Sequence, residues 1–560
     1  MARRSRDELI FLPLGGIGEI GMNAYLYGLD TGGSRQWLMV DLGITFPGER
    51  EPGIDVIMPD LRFIEEERAN LAGLLLTHAH EDHYGAVSEL WPRLGVDIYA
   101  TPFTAQLLRV KHAENRGGGE LPIKEIPLQA RLQIGPFDVE LITLAHSIPE
   151  PNGVVIRTEA GTVFHTGDWK LDADPITGAP TDNARIEAIG VEGLDAIVCD
   201  STNATRAGAS PSEADVAETL KTIVAGAKQR VAVTTFASNV ARIRSVFEAA
   251  KAADRHVVVV GRAMHRVIQV ARETGHIPPN TELLGDEEYG YLPRDKVVAL
   301  CTGSQGEPRG ALARIAANDH PAIAFAPGDL VIFSSRTIPG NEKSVGWVQN
   351  NLIEQGLELI TDSDALVHVS GHPRRDELKQ MYEWAQPGIA VPMHGEARHL
   401  AAHAKLAREA GVKTVIEARN GDVVRLSPGP AEIIDEAPVG RVFRDGGLIV
   451  PADSDALAER RRIARLGTVT VSIVLSTKGD LAAEPQIAMT GVPEADEHGR
   501  SMHDAALDGA MGALDGIPRP RRKDAGAVGE AIRRGVRSEL GNAWGKRPIC
   551  TVLVSIVRTA

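Results

Sequence analysis

Cysteine is scarce in this chain. Cys199, Cys301 and Cys550 stand far apart with no Cys-x-x-Cys spacing, which argues against a disulfide framework and a thiolate metal site. Any metal here is held by imidazole and carboxylate. Long apolar runs are missing too: no stretch approaches the roughly 20 uninterrupted apolar residues of a membrane helix, and Met1-Ala2-Arg3-Arg4-Ser5-Arg6-Asp7 leads into no apolar segment of a secretory leader. A cytoplasmic protein without a membrane partner is expected. Positive charge is in deficit, with a formal net charge of -15. Taken alone, that argues against a nucleic-acid partner. A channel can nevertheless be basic on an acidic protein, and metal ions add positive charge that residue counting misses. No internal repeat at solenoid periods is present.

At 560 residues the chain exceeds what one hydrophobic core supports, so two to four domains are expected. Short strands are expected at residues 9–13, 23–29, 37–42, 71–77, 139–144, 154–157, 162–165 and 195–199, with helices between them, which makes a layered α/β unit. Near residue 205 the pattern changes. Ser210-Pro211-Ser212-Glu213 reads as a helix start, and helices at 213–227 and 239–252 alternate with apolar runs at 231–235, 257–260 and 330–334. That rhythm predicts a mostly parallel sheet. Between 388 and 426 the earlier style returns, with a His-containing turn and a helix at 396–409 closed by Gly411. The second domain is therefore inserted in the first. The expected limits are 1–205 and 375–446 for the two parts of the first domain and 206–374 for the insertion. A linker at 447–462 runs into a helix, and 463–560 forms a small α+β domain with strands at 468–475 and 549–557 and a helix near 528–542. The basic run Pro518-Arg519-Pro520-Arg521-Arg522-Lys523 is expected in a loop there, as a solvated segment or an RNA contact.

Gly16-Ile17-Gly18-Glu19-Ile20-Gly21 matches G-x-G-x-x-G after a strand, and Asp41 follows at the end of another. Dinucleotide binding needs a helix that opens at the glycines. Residues 23–29 alternate with β character instead, and Gly28, Gly32 and Gly33 would break a helix. The glycines read as a hairpin turn, which leaves Asp41 for another role.

His78-Ala79-His80-Glu81-Asp82-His83 carries four metal-capable side chains directly after the apolar run 71–77. Imidazole and carboxylate without thiolate suit zinc and tolerate manganese. One tetrahedral ion does not readily take all four, so His78 and His80 are expected to face one cation and Asp82 and His83 a neighbour.

His-x-His-x-Asp-His after a strand resembles the signature of the metallo-β-lactamase fold, an αββα sandwich. The sequence supplies further candidates in Val40-Asp41-Leu42-Gly43, Ala145-His146-Ser147, His165-Thr166-Gly167-Asp168 and Pro392-Met393-His394-Gly395-Glu396. Cys199-Asp200-Ser201-Thr202-Asn203 and His368-Val369-Ser370-Gly371-His372, with His394, resemble the motifs of a β-CASP insertion, which marks nucleic-acid-processing members of the fold. Longer strings, among them Pro13-Leu14-Gly15-Gly16-Ile17-Gly18-Glu19-Ile20-Gly21, Thr235-Phe236-Ala237-Ser238-Asn239 and Thr302-Gly303-Ser304-Gln305-Gly306-Glu307-Pro308, resemble the bacterial ribonuclease J family from about residue 8 to 445 and through the tail domain. Tyr84 stands where an aliphatic residue is common, and Pro373-Arg374-Arg375 where smaller residues are familiar.

The resemblance implies two Zn2+ per subunit, with Mn2+ or Mg2+ as alternatives. It gives His78, His80 and His146 to one ion and Asp82, His83 and His394 to the other, with Asp168 bridging and Asp41 supporting the ligand loop. Asp82, His372 and Asp200 are the implied catalytic residues, His372 as the acid oriented by Asp200. Single-stranded RNA is the implied substrate, cut 5′-to-3′ from a 5′-monophosphate and also internally, in rRNA maturation and mRNA decay. Phe236, Ser238, Asn239, Ser334, Ser335, Arg336, His368, Ser370, Gly371 and His372 are the candidate RNA and 5′-phosphate contacts. A homodimer or homotetramer through the C-terminal region and a place in an RNA-degrading complex are also implied. Three other readings compete: a small-molecule metallohydrolase, which needs no second wall to clamp a polymer, a non-catalytic scaffold, which the complete ligand set disfavours, and DNA repair by a β-CASP relative, which the ribonuclease J strings disfavour.

Overall fold

Side-chain alternation decides how the first half of the chain layers. In strand Asn152–Thr158, Val154 and Ile156 enter one core and Val155 another. In Ala196–Asp200, Ala196 and Val198 enter the first core, Ile197 and Cys199 the second. Successive side chains leave a strand on opposite faces, so this sheet is covered on both. The structure, a computed structural model, describes residues 7–30, 34–114 and 119–558. Residues 1–6, Gly32 and Gly33 lie outside that range.

Two sheets enclose the first core. One has eight strands in the order Glu432–Glu436, Asp422–Ser427, Leu9–Gly15, Ala24–Asp30, Arg35–Val40, Leu71–Leu75, Ile98–Ala100 and Ile123–Glu125. The other has seven, in the order Thr414–Val415, Ile389–Met393, Ala196–Asp200, Gly161–His165, Asn152–Thr158, Phe137–Thr143 and Arg131–Ile134. Helices Asn183–Glu192, Arg375–Ala385 and Ala397–Glu409 supply side chains to the outer core of the second sheet. Helix Pro102–Glu114 lies against strands of the first sheet. This is the expected αββα sandwich. Residues 98–100, 123–125 and 131–134, too short to show a pattern, are additional strands. The glycines 16–21 open no helix: Leu9–Gly15 returns antiparallel as Ala24–Asp30.

The insertion is a five-stranded parallel sheet in the order His256–Val260, Val297–Cys301, Val231–Thr234, Leu330–Phe333, Glu358–Ile360. Parallel strands need a crossover between neighbours, and helices such as Val240–Ala252, Arg262–Glu273 and Glu342–Glu354 provide it, while Glu213–Gly226 leads into the first strand. Ser212 starts the first of these with a reciprocal cap: its hydroxyl accepts the Ala214 N–H, and Asp215 accepts its own N–H.

Compactness divides the chain at limits other than the expected ones: Met1–Phe46 with Val56–Val442 forms one unit, Pro47–Asp55 with Phe443–Ala560 the other. In the second unit, Thr468–Ser476 lies between antiparallel Leu481–Thr490 and parallel Ile549–Val557, and helices Met502–Asp515 and Ala525–Trp544 share its core. The expected linker 447–462 contains strand Leu448–Pro451 and most of helix Asp455–Leu466. Leu481–Thr490 and Met502–Asp515 were not expected. The first carries Pro485 and few β-branched residues, tolerable because it is an edge strand. The second contains Gly509, whose added Cβ would lie 2.8 Å from the Gly535 carbonyl of its partner helix, so the glycine serves close packing. The basic run, expected as loop, forms one turn of 3₁₀ helix, Arg519–Lys523. No helix among the described residues is long and apolar enough to cross a membrane.

A buried ion pair fastens the insertion. Arg242, fully buried, donates to Glu213 at 2.9 Å and to the carbonyls of Val367 at 2.7 Å and Ser334 at 3.1 Å. It ties two helices to the segment that leads to His372. Removing one partner of such a pair leaves the other charge buried alone. Glu213→Ala is therefore expected to cost about 3–5 kcal/mol, read as a lower urea midpoint for the transition of the inserted domain.

Candidate metal centre

One edge of the sandwich collects the chemistry because strands from both sheets end there in the same direction. Leu71–Leu75 is parallel to Arg35–Val40 and leads to His78, as the latter leads to Asp41. Gly161–His165, Ala196–Asp200 and Ile389–Met393 are mutually parallel and lead to Asp168, Asp200 and His394. Phe137–Thr143, two antiparallel steps from Gly161–His165, points the same way and leads to His146.

Asp41 holds the ligand loop at both ends. Its Oδ1 accepts the Thr77 N–H at 2.8 Å, and its Oδ2 accepts the Thr77 hydroxyl at 2.8 Å and His83 Nδ1–H at 2.7 Å. The residue is fully buried and adopts a φ of 63°, a conformation that costs energy outside glycine.

These bonds also decide where the imidazole protons sit. The Thr77 hydroxyl donates to Asp41, so at 3.0 Å it accepts from His78 Nδ1–H. His146 Nδ1–H donates to the Gly371 carbonyl at 2.5 Å. His78 and His146 are thus each left with a bare Nε2. Burial would lower the His83 pKa, but Asp168, Asp82 and Asp41 outweigh it and raise it well above the usual value, so its Nε2, 3.2 Å from Asp168 Oδ2, carries a proton that a cation would replace. The bare nitrogens of His78 and His146 approach His80 Nδ1 to 3.1 and 3.0 Å. Burial, together with neighbouring imidazoles, lowers the pKa of His78 and His146 well below the usual value, and burial brings His80 to about 4, so all three are neutral. Three neutral nitrogens cannot all satisfy one another by hydrogen bonds.

A cation satisfies them. The ligand atoms of His78, His80, His146 and Asp168 lie within 4.8 Å of one another, as do those of Asp82, His83, Asp168 and His394. Asp168 Oδ2 stands 3.9 and 3.7 Å from the Nε2 atoms of His78 and His146 and 3.2 Å from that of His83, while His394 Nε2 stands 3.1 Å from Asp82 Oδ2. Tetrahedral coordination at about 2.0–2.1 Å separates ligand atoms by roughly 3.3 Å. Asp168 Oδ1 is buried without a hydrogen-bond partner. Donor type, spacing and this orphaned oxygen all fit two ions sharing Asp168.

Against the cluster lies a proton-bearing pair. His372 Nδ1–H donates to Asp200 Oδ2 at 2.8 Å, and the same nitrogen is 3.7 Å from Asp168 Oδ2. Burial alone would lower the His372 pKa, but Asp200 and Asp168 outweigh it and raise it. Burial likewise opposes ionisation of Asp200, yet His372 holds its carboxyl below the ordinary range.

The RNA candidates divide into two groups. Residues 368–372 reach the cluster: Gly371 holds His146, and Ser370 Oγ accepts from Asn203 at 2.9 Å. His368 Nδ1 is buried without a hydrogen-bond partner. Phe236, Ser238, Ser335 and Arg336 follow the neighbouring strands Val231–Thr234 and Leu330–Phe333. Ser334 and Asn239 are committed elsewhere. The Ser334 hydroxyl is fully buried and donates to the Val367 carbonyl at 2.6 Å, and Asn239 Oδ1 caps helix Val240–Ala252 through the Arg242 N–H at 2.9 Å. Asn23 was not anticipated: its Nδ2 donates to the Asp82 carbonyl and faces His83 Nε2, each at 3.0 Å. Its partners lie 59 and 60 residues away, beyond any local signal.

Comparison with known proteins identifies the architecture. Residues 17–261 match the metallo-beta-lactamase superfamily, 228–352 the beta-CASP domain of ribonuclease J, 364–417 the Zn-dependent metallo-hydrolase RNA specificity domain, and 455–557 the ribonuclease J C-terminal domain. A ribonuclease J of Sinorhizobium meliloti is 53% identical over 551 residues, 98% of each chain. The chain belongs to the ribonuclease J family. Further ribonuclease J relatives are those of Mycolicibacterium smegmatis, 38% identical over 96% of this chain and 95% of its own, and Thermus thermophilus, 38% identical over 83% and 82%. A crystal structure of a protein of unknown function from Enterococcus faecalis shares the fold, with a TM-score of 0.52 and 14% identity over 75% of this chain and all of that one. Ribonuclease J membership makes the chain a metal-dependent, RNA-binding ribonuclease of metallo-β-lactamase and β-CASP architecture.

A Cβ on Gly371 would meet His146 Nδ1 at 2.5 Å. Gly371→Ala is expected to displace that imidazole and lower bound metal by up to one equivalent per chain, measured by atomic absorption after gel filtration, with the far-UV circular dichroism unchanged.

Proposed function

We propose that the chain hydrolyses single-stranded RNA with two zinc ions per subunit, Mn2+ or Mg2+ substituting. It acts 5′-to-3′ on 5′-monophosphorylated RNA and also internally, in cytoplasmic rRNA maturation and mRNA decay. The observation that carries this reading is the His372–Asp200 pair on the insertion's return path, set against the shared Asp168. His78, His80, His146 and Asp168 would hold one ion, and Asp82, His83, His394 and Asp168 the other. When bound, such a pair lowers the pKa of water and neutralises phosphate charge.

The remaining chemistry belongs to the protein. In-line attack of a water oxygen on phosphorus breaks the bond to the ribose 3′-oxygen, and that leaving oxygen needs a proton. His372 gives it from Nε2, while Asp200 keeps Nδ1–H fixed and stabilises the charged ring. Asn203 steadies the donor by bonding the His372 carbonyl at 3.1 Å. One product ends in a 3′-hydroxyl; the other begins with a 5′-phosphate and is the next substrate. Ser335, Arg336, His368 and Ser370 form the phosphate cradle, with Ser238 beside it, and Phe236 offers a face for base stacking. Ser334 and Asn239 act on the cradle indirectly, by holding its framework. An oligomer through the C-terminal region, and through it a place in an RNA-degrading complex, is supported by Leu553, Ile556 and Val557, exposed apolar residues on edge strand Ile549–Val557.

His372→Ala is expected to slow turnover of 5′-monophosphate RNA by about 10²–10⁴-fold with metal content intact, while Asp82→Ala or His83→Ala loses both. Release of mononucleotides from 5′-triphosphate RNA at an equal rate would count against the cradle. The acid must stay protonated, so activity falls as pH rises through the His372 pKa. Asp200→Asn removes a charge that raises that pKa, and the alkaline limb of the pH–rate profile should move to lower pH.

A further inference from the structure

An imidazole that offers a bare nitrogen to a cation must have its other nitrogen's proton held. Thr77, Asp41 and Gly371 do this for His78, His83 and His146. For His394 the holder is a residue to which neither the family resemblance nor the proposed mechanism gives a role. His394 Nδ1 lies 2.7 Å from Thr202 Oγ1, and the same hydroxyl lies 3.0 Å from the His394 carbonyl oxygen. A hydroxyl has one proton. Given to the carbonyl, it leaves Oγ1 as the acceptor, so Nδ1 carries a hydrogen and Nε2, 3.1 Å from Asp82 Oδ2, is the nitrogen left to face a cation. We propose that Thr202 is a positioning residue that sets the tautomer and ring plane of His394 and thereby completes the second ion site. This rests on the two-ion reading above.

The surroundings keep the hydroxyl in place. Thr202 N–H donates to Asp200 Oδ1 at 2.9 Å. Ser201 bonds His403 Nδ1 at 2.8 Å, and the Tyr382 hydroxyl bonds that ring's other nitrogen at 2.7 Å. Asn203 is tied to Ser370 and to the His372 carbonyl. Every side chain of Asp200-Ser201-Thr202-Asn203 is therefore engaged with residues at the end of the insertion or after it. His394 is fixed from behind as well: its N–H donates to the Gly16 carbonyl at 2.7 Å and its φ is 51°. Without the hydroxyl, Nδ1 would face Asp200 Oδ1 at 3.6 Å and Asp168 Oδ1 at 3.8 Å. The ring would then turn toward carboxylates that serve His372 and the ions.

The test is a titration of metal-free, full-length protein with Co2+, followed by its visible absorption and by competition with a chelator, then repeated with Zn2+. Wild type should take two equivalents. Thr202→Val, equal in size but without the hydroxyl, should bind the first normally and the second about 10–100-fold more weakly, with an altered spectrum for that equivalent. Thr202→Ser should restore both, and Thr202→Ala should repeat the loss if the valine variant does not fold. An unchanged second equivalent in the hydroxyl-free variants overturns the proposal. So does a serine variant as weak as valine, because the methyl group would then be what matters. Wild type that takes only one equivalent overturns the two-ion reading and this proposal together, and shows itself before any substitution is made.

Discussion

Two strands separated by the whole insertion, Ala196–Asp200 and Ile389–Met393, lie side by side with Asp200 opposite Met393. Their pairing places Asp200, shortly before the insertion, beside His394, which follows it. Closing so long a gap by a flexible loop would cost conformational entropy that grows with length. Here the intervening chain is folded, its five strands all parallel and its helices anchored by Arg242 and Glu213. The group of Asp82, His83, Asp168 and His394 therefore depends on a domain that contributes none of its members: without the insertion's own fold, His394 has no fixed address relative to Asp82, 312 residues earlier.

The site's electrostatics follow from that closure. Asp41, Asp168 and Asp200 are buried beside imidazoles with almost no water to solvate them. Such a cluster is stable only when protons or cations balance it. Directional hydrogen bonds decide which nitrogens keep protons, and the remaining ligand atoms gather around Asp168. The His372–Asp200 pair and the imidazole cluster lie a few ångströms apart because Asp168 faces both.

Much of this was legible in the sequence, and for definite reasons. The six residues from His78 to His83 are contiguous, so ligand types and spacing could be read directly. The insertion showed itself as a change from isolated strands to alternating strands and helices, and the Ser212 cap marked its first helix. The backbone bonds of Ser334 and Asn239 could not be foreseen, because serine after a strand and asparagine before a helix look alike whether they face a ligand or close the backbone. Asn23, Thr77 and Thr202 escaped notice because their roles exist only through contacts made by distant chain. The strand 481–490 and helix 502–515 in the tail lacked, respectively, β-branched residues and an uninterrupted helical pattern, and tertiary packing overrode propensity in both.

The bond from His146 to the Gly371 carbonyl has a mechanical side. The short loop 370–372 carries His372 at one end and holds the His146 ring from its middle, so a force on the loop reaches the imidazole cluster as torque on a ring. The His146 ring and the His372–Asp200 pair thus form a single moving part.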